Sequence, residues 1–440
     1  MHAILVPVGS AGDVYPFIAL GRELQRRGHR ITMITSGIFG DLARRAGFEF
    51  KASLSSEAYQ AIVSDPDYWH PLRSTRLLLD RIVSPAIAVV YALVKESYRP
   101  GDSAVVAGTL ALGARVAQEA LGLPLTTVHL QPSAIRSCRA PALHPGFGWM
   151  RQMPLALRPA AFRLIDAIAD RLYGGPLNSF RATLGLPPVR RLFGSWWHSP
   201  ESTLGLFPAW YAAPQADWPR QIRLCDFPLF NAPELEVPAE ELERYLEAGE
   251  PPIVFTCGSA MSSAHEFFAA ATQACRMLGR RALFVTRFTR HLPRSLPANV
   301  THVAYAPFGR LLPRTAAIVH HGGIGTTAQA LRAGLPQIVT PYCYDQYDNA
   351  DHLMRLGVAL TVTRSRHSAE RIAGSLDRLQ ADRVLRARCL EISQRFTSVE
   401  PLGEAADALE RYWFERRILP QPGERLLPAS GPAAPAPSAA

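Results

Sequence analysis

The chain has 440 residues, more than one ordinary core holds and enough for two domains. It is 48% hydrophobic and 19% charged, a soluble globular composition, with a formal net charge of +10. That sign suits a nucleic-acid binder, but the basic residues are scattered, with no block of five. All but two of the 47, Lys51 and Lys95, are arginines, which reads as compositional bias and argues against a nucleic-acid partner.

The six cysteines (138, 225, 257, 275, 343, 389) form no C-x-x-C pair and keep no regular spacing. Reduced thiols in the cytoplasm are expected, with neither a disulfide framework nor a zinc site. The opening MHAILVPVGSAGD lacks a basic leader and reads as a first strand, not a signal peptide. The longest apolar run, VSPAIAVVYALV (83–94), contains Ser84 and Pro85 and is read as interrupted and too short to span a bilayer. At most a peripheral contact with the inner face of the cytoplasmic membrane is expected.

In chain order, the first half alternates apolar runs with helical patterns. HAILVPV (2–8) passes through GSAGD into a helix beginning at Val14. ITMIT (31–35), EFKAS (49–53), a long helix near 74–98, AVVAG (104–108), a helix over 112–121 and LTTVHL (125–130) follow. Helix over 157–185 precedes two late strands, STLGLF and IRLCDF. Strand alternating with helix at this spacing predicts βαβ units and a parallel sheet. The pattern lapses over 229–240, where FNAPELEVPAE marks a linker between a first domain, 1–228, and a second, 241–400. In the second, PIVFTCGS, ALFVTR, NVTHVAY, AAIVHH, QIVTP and ALTVT repeat the alternation. A helix over 401–418 is expected to cross back to the first domain, ahead of a Pro/Ala-rich tail, 419–440, that cannot form a core. The fold class is therefore α/β, two doubly wound Rossmann-like domains with a ligand cleft between them at the carboxyl ends of the strands.

Three strand-to-helix turns of the second domain carry chemistry. HHGGIGTT (320–327) ends a strand, admits close backbone approach at its glycines and opens a helix near Thr326. Free N–H groups at that helix start, with imidazole and the Thr326 and Thr327 hydroxyls, suit a phosphate or diphosphate. A glycine turn with a threonine cap and incidental histidines is the structural alternative. YCYDQYDNA follows the next strand, so Asp345, Gln346 and Asn349 offer a carboxylate and amides to sugar hydroxyls, or else cap a helix. TCGSAMSS (256–263) brings Gly258 and Ser259 to the same crevice.

The run HHGGIGTTAQALRAGLPQIVTPYCYDQYDNADHLMRLGVAL resembles the donor-binding motif of the family 1 nucleotide-sugar glycosyltransferases with the GT-B fold. GSAGDVYPFIALGRELQRRGHRITMIT is similar to the same family's first βα unit. Within the family the likeness is strongest to the rhamnosyltransferases of rhamnolipid biosynthesis, through MHAILVPVGSAGDVYPFIAL, FPAWYAAPQADWP, YAPFGRLLP and DQYDNADHLMRLG.

The resemblance implies that the diphosphate lies against His321, Gly323, Gly325 and Thr326, with His320 beside them. It places Asp345 and Gln346 on the donor sugar, Ser259 near the β-phosphate, and Tyr305 with Ala306 against the nucleobase. Where many relatives have a histidine base after the first strand, this chain has Gly12-Asp13, so Asp13 is the expected base, with a helix cap as its alternative role. Gln329 stands where UDP-sugar users carry a ribose-binding glutamate, which favours a dTDP-sugar. Phe17, Trp69, Trp196 and Trp197 are candidates to line the acceptor pocket, or are simply core. The implied reaction is inverting transfer of L-rhamnose from dTDP-L-rhamnose to a hydroxyacyl lipid, with no cofactor and no metal. The acyltransferase that makes the acceptor is a candidate partner. A macrolide, sterol or other apolar aglycone is the alternative acceptor; a sugar-nucleotide epimerase or a non-catalytic sensor are alternatives of another class.

Overall fold

The computed structural model of the chain describes residues 1–230, 239–258, 261, 264–363, 367–397 and 401–418. Its strands form where the apolar runs predict them. In the first domain they are β1 (His2–Val6), β2 (Arg30–Ser36), β3 (Glu49–Leu54), β4 (Ser103–Gly108), β5 (Leu125–His129), β6 (Ser202–Gly205) and β7 (Ile222–Leu224). In the second they are β8 (Ile253–Thr256), β9 (Ala282–Val285), β10 (Val300–Val303), β11 (Ala317–His320), β12 (Gln337–Val339) and β13 (Ala359–Thr361).

The first sheet runs β3-β2-β1-β4-β5-β6-β7 and the second β10-β9-β8-β11-β12-β13. Every pairing in both is parallel. Each sheet starts at an inner strand, winds outward, and then returns to that strand's other side. β1 pairs with β4 in register His2↔Ser103 through Val6↔Ala107, and β8 with β11 in register Ile253↔Ala317 through Thr256↔His320. These two reversals are the switch points of doubly wound sheets, where a crevice opens beyond the strand ends. Both expected domains thus supply a crevice, and the crevices face one cleft.

Helices cover both faces of each sheet, so the inner strands are buried throughout and their sequences read as unbroken apolar runs. Phe255 stands 5.3 Å from Phe284 and Phe267 5.1 Å from Phe268, each pair edge-on, at the centre of the second core. Fully burying one such ring contributes about 1.5–3 kcal/mol. All six cysteines are free.

The apolar run at 83–94 corrects its reading. Ser84 and Pro85 do not interrupt it, because the helix is continuous from Ser74 to Ser97. Its ladder widens to a π turn over Leu79–Val83, one residue ahead of Pro85, which has no N–H to continue it. At 24 residues and mean hydropathy 1.9 the helix is long and apolar enough to cross a membrane by length and composition. One face of it packs on the first sheet through Leu79, Val83, Ile87, Val90 and Val94, and 33% of its most apolar window is buried.

The helix Gly403–Ile418 packs on the first domain. Leu402, Ala405, Ala406, Leu409 and Trp413 join the core made by β1 and the helix Ala11–Arg26. Arg27 binds Glu410 at 2.7 Å, and His29 Nε2 reaches the same carboxylate at 2.8 Å. The expected linker ends against the helix Ala239–Glu247; most of it, 231–238, and the tail, 419–440, lie outside the described residues.

Candidate active site

Between the two switch points lies a cleft of about 330 Å³, lined by the turns that follow β1, β8, β9, β10, β11 and β12. His321, Gly323, Gly325, Thr326, Tyr305, Ala306, Asp345, Gln346, Trp69 and Asp13 all line it. Ser259 lies outside the described residues.

The helix after β11 begins at Ile324, two residues earlier than predicted, with Gly323 as its cap. Its first hydrogen bond runs from the Thr327 N–H to Gly323 O at 3.0 Å. The N–H groups of Ile324, Gly325 and Thr326 therefore have no partner within the helix, and all three residues line the cleft. Beside them the His321 ring is wedged between two glycines. A Cβ on Gly258 would stand 2.5 Å from His321 Cε1, and one on Gly323 2.4 Å from Nε2. Gly258 also holds φ +79°, so both space and backbone demand glycine there. Burial, followed by the neighbouring His320, lowers the His321 pKa to about 3. Its ring is neutral at physiological pH, and among the described residues its buried Nδ1 has no partner. A neutral imidazole beside a helix start still has one N–H to donate to an anion.

Two donors expected at this turn are elsewhere. His320 ends β11 facing the core: Nδ1 accepts from the Gly322 N–H at 3.1 Å, so Nε2 donates to Gln337 Oε1 at 3.0 Å. Burial lowers its pKa to about 4. It shapes the turn and does not line the cleft. Thr327 is likewise fully buried.

Asp345 precedes the helix Gln346–Leu356. Its Oδ2 accepts from Asn349 Nδ2 at 2.6 Å, which leaves Oδ1 for a ligand hydroxyl. Burial, relieved by Asn349 and reinforced by Asp13, raises its pKa to about 7. Gln346 spends its carbonyl on the turn, accepting from the N–H groups of Tyr342 (2.8 Å) and Cys343 (3.2 Å). What it can offer a ligand is its NH2. Asn349 is not a sugar contact: fully buried, it also donates to Gly322 O at 2.9 Å and accepts from Tyr211 at 3.1 Å. It clamps the two turns together.

Across the cleft the first helix begins at Ala11, three residues earlier than predicted, with Ser10 as its cap. Asp13 is the third helical residue, not the cap itself. Its Oδ2 accepts from the Ser10 N–H at 2.7 Å and from the Ser10 hydroxyl at 3.1 Å, closing a capping box. Burial raises its pKa, against the pull of those two bonds. Oδ1 remains the oxygen available to a substrate, on a carboxylate more basic than an ordinary aspartate. Capping and lining the cleft are compatible, and Asp13 does both.

Asp13 also borders a second chamber of about 220 Å³, lined mainly by Pro7, Val8, Phe17, Leu78, Leu110 and Trp197. Asp13, Tyr344 and Asp345 line both spaces. Phe17 and Trp197 thus sit in the apolar chamber, while Trp69 lines the larger cleft. Trp196 is in neither. It lies between Arg115 and Arg181, with Nε1 donating to Glu119 at 2.9 Å, because the turn at 192–196 directs neighbouring indoles to different sides.

Three groups were not anticipated. Tyr344 holds φ +55°, a left-handed conformation that non-glycine residues seldom adopt. Its hydroxyl donates to Tyr68 O at 2.8 Å, and its ring meets Trp69 edge-on at 6.0 Å, where cleft and chamber join. Arg287, beyond β9, lines the cleft and donates to the Tyr15 hydroxyl at 3.2 Å across it. A buried relay fixes the chamber wall: Trp197 Nε1 donates to His198 Nε2 (3.1 Å), His198 Nδ1 to His129 Nε2 (2.8 Å), and His129 Nδ1 to Thr109 Oγ1 (2.8 Å). Burial keeps both histidines neutral, His198 at about 4 and His129 well below the usual range.

Two facing parallel sheets that meet at their switch points around such a cleft are the GT-B arrangement. Residues 3–138 match the glycosyltransferase family 28 N-terminal domain, and residues 283–410 match the erythromycin biosynthesis protein CIII-like C-terminal domain. The chain is 30% identical over 442 residues to O-mycaminosyltylonolide 6-deoxyallosyltransferase of Streptomyces fradiae, covering 95% of this chain and 98% of that one. It is 26% identical to sterol 3-beta-glucosyltransferase UGT80B1 of Arabidopsis thaliana, over 95% and 69% of the two chains. It shares the fold of the spinosyn rhamnosyltransferase SpnG, solved with thymidine diphosphate, at a TM-score of 0.65 and 18% identity over 92% and 100%. The chain belongs to the GT-B family 1 nucleotide-sugar glycosyltransferases.

Proposed function

We propose that the chain is an inverting rhamnosyltransferase that moves L-rhamnose from dTDP-L-rhamnose to the hydroxyl of a 3-(3-hydroxyalkanoyloxy)alkanoic acid, giving a mono-rhamnolipid. The observation that carries the proposal is the apolar chamber that joins the larger cleft at Asp13 and Asp345. An apolar acceptor in the chamber presents its hydroxyl at that junction, and a nucleotide sugar in the cleft presents its anomeric carbon there. Asp13 Oδ1 takes the hydroxyl proton as the acceptor oxygen bonds to the anomeric carbon. The bond from that carbon to the diphosphate breaks, and dTDP leaves with the electron pair. Its growing charge falls on the His321 ring and the N–H groups of residues 324–326. Attack opposite the leaving group inverts the centre. Gln329, which lines the cleft with an amide where a ribose-binding carboxylate would stand, supports a deoxyribose donor.

A second reading keeps the chemistry and changes the acceptor to a macrolide or sterol-like aglycone. Kinship with the S. fradiae deoxyallosyltransferase and the Arabidopsis sterol glucosyltransferase favours it. Incubation with dTDP-L-rhamnose or UDP-glucose, each with hydroxyacyl and polycyclic acceptors, separates the two by mass spectrometry. A single deoxyhexose added to the hydroxyacyl lipid is the expected product. Turnover with UDP-glucose and a polycyclic aglycone, but none with dTDP-rhamnose, would falsify the rhamnolipid assignment.

The raised pKa of Asp345 gives a pH signature. The ionised carboxylate is the better acceptor for sugar hydroxyls, so sugar binding is fully developed above about 7 and weakens as pH falls through it. The affinity for dTDP-sugar relative to dTDP is expected to drop by up to about tenfold per pH unit below that point. A ratio that stays flat from pH 8 to about 5.5 by calorimetry would remove Asp345 from the sugar.

A further inference from the structure

The helix Arg158–Thr183 lies on the outside of the first domain. Several of its outward residues are large and apolar, which a surface helix does not usually show. Leu157, Leu164, Ile168 and Leu172 fall on one helical face at spacings of seven, four and four, and with Leu155 just before them they are 50–64% exposed. Both acids of the helix are turned the other way. Asp166 is buried against Arg136 and Arg191, and Asp170 accepts from the N–H groups of Arg191 (2.6 Å) and Leu192 (2.9 Å). Two arginines, Arg163 and Arg171, stay on the outer side, exposed and with no ion pair among the described residues. Of the other two arginines, Arg181 is buried on Glu119 and Arg158 donates to backbone carbonyls, so the exposed face carries Arg163, Arg171 and the leucines, with both acids engaged elsewhere.

We propose that this face docks on an anionic lipid bilayer, with the helix lying in the interface plane. Charge complementarity selects that occupant. A leucine face flanked by unpaired arginines and no acid matches acyl chains below anionic headgroups. A second copy of this chain, carrying +10, would instead bring like charge to like. The location adds to the argument. Trp149 is also exposed, on a segment tied to the helix start by Arg158, which donates to Arg151 O at 2.8 Å and Met153 O at 3.0 Å, and Leu72 packs beside Gly146, with Cδ2 3.7 Å from where a Cβ there would stand. Thr75 and His144, on those two segments, line the apolar chamber. The docking face does not rest on the proposed function.

The test is co-sedimentation of the full chain with vesicles of phosphatidylcholine alone, or with about one-third phosphatidylglycerol. Binding to the anionic vesicles, reversed by high salt, is expected. Arg163→Gln with Arg171→Gln should weaken it about thirtyfold, since each basic residue near such a surface contributes about 1 kcal/mol. Leu164→Asn with Ile168→Asn should abolish it, and both pairs should retain wild-type turnover of a water-soluble acceptor. No binding to anionic vesicles, or binding unchanged in both variants, overturns the proposal. So does a wild-type dimer that the Leu164→Asn/Ile168→Asn pair converts to monomer without altering vesicle binding, which would assign the face to a second copy. Anionic-vesicle binding by a wild-type chain that turns over no acceptor would count against the transferase reading alone.

Discussion

Asp13→Asn is expected to slow glycosyl transfer by about 10²–10⁴-fold, the usual contribution of a positioned base, while dTDP binding stays within about twofold of wild type. The asparagine keeps the shape, and its side-chain oxygen can still accept from the Ser10 N–H that Asp13 now holds at 2.7 Å. The capping box survives in part, at a cost of about 1 kcal/mol or less in stability. What disappears is a carboxylate whose burial has made it more basic than its class. The two roles of Asp13 therefore separate by measurement. If it is only a cap, the variant melts slightly earlier and transfers at the wild-type rate. If it is the base, the melting temperature barely moves and kcat collapses, with the donor still bound. An epimerase that needs no acceptor, or a sensor that needs no base, predicts neither loss of transfer nor transfer at all.

Much of this architecture is legible in the chain, for a physical reason. Strands buried on both faces admit almost nothing but apolar residues, so runs such as AAIVHH and PIVFTCGS stand out between turn signals. Helix starts are less legible. Ala11 and Gly12, or Ile324 and Gly325, give no sign of helix in their own identity, so the pattern alone puts both helix starts two or three residues late. Adjacent like residues are harder still. His320 and His321 are the same side chain at a strand end, and successive residues there point opposite ways; which one meets the cleft is decided by register. Trp196 and Trp197 pose the same problem. Tyr344 could not be found at all, because a left-handed backbone at a tyrosine is imposed by its surroundings and leaves no mark in composition. The His129–His198 relay joins residues 69 positions apart, beyond the reach of any local pattern.

The division of the cleft into a diphosphate turn and a sugar turn is the centre of the account, and calorimetric titration of two variants with two ligands tests it most directly. His321→Ala removes a neutral donor that faces the proposed diphosphate, worth about 1.5–3 kcal/mol or roughly ten- to hundredfold in Kd. Since dTDP and dTDP-L-rhamnose carry the same diphosphate, both should weaken by that factor. Asp345→Ala removes the Oδ1 beside Asn349, whose partners in the proposed reaction are on the sugar. Binding of dTDP-L-rhamnose should therefore weaken about ten- to hundredfold, while dTDP stays within roughly threefold of wild type. Equal losses for both ligands in the Asp345 variant, or an unchanged dTDP affinity in the His321 variant, would contradict the assignment of those turns.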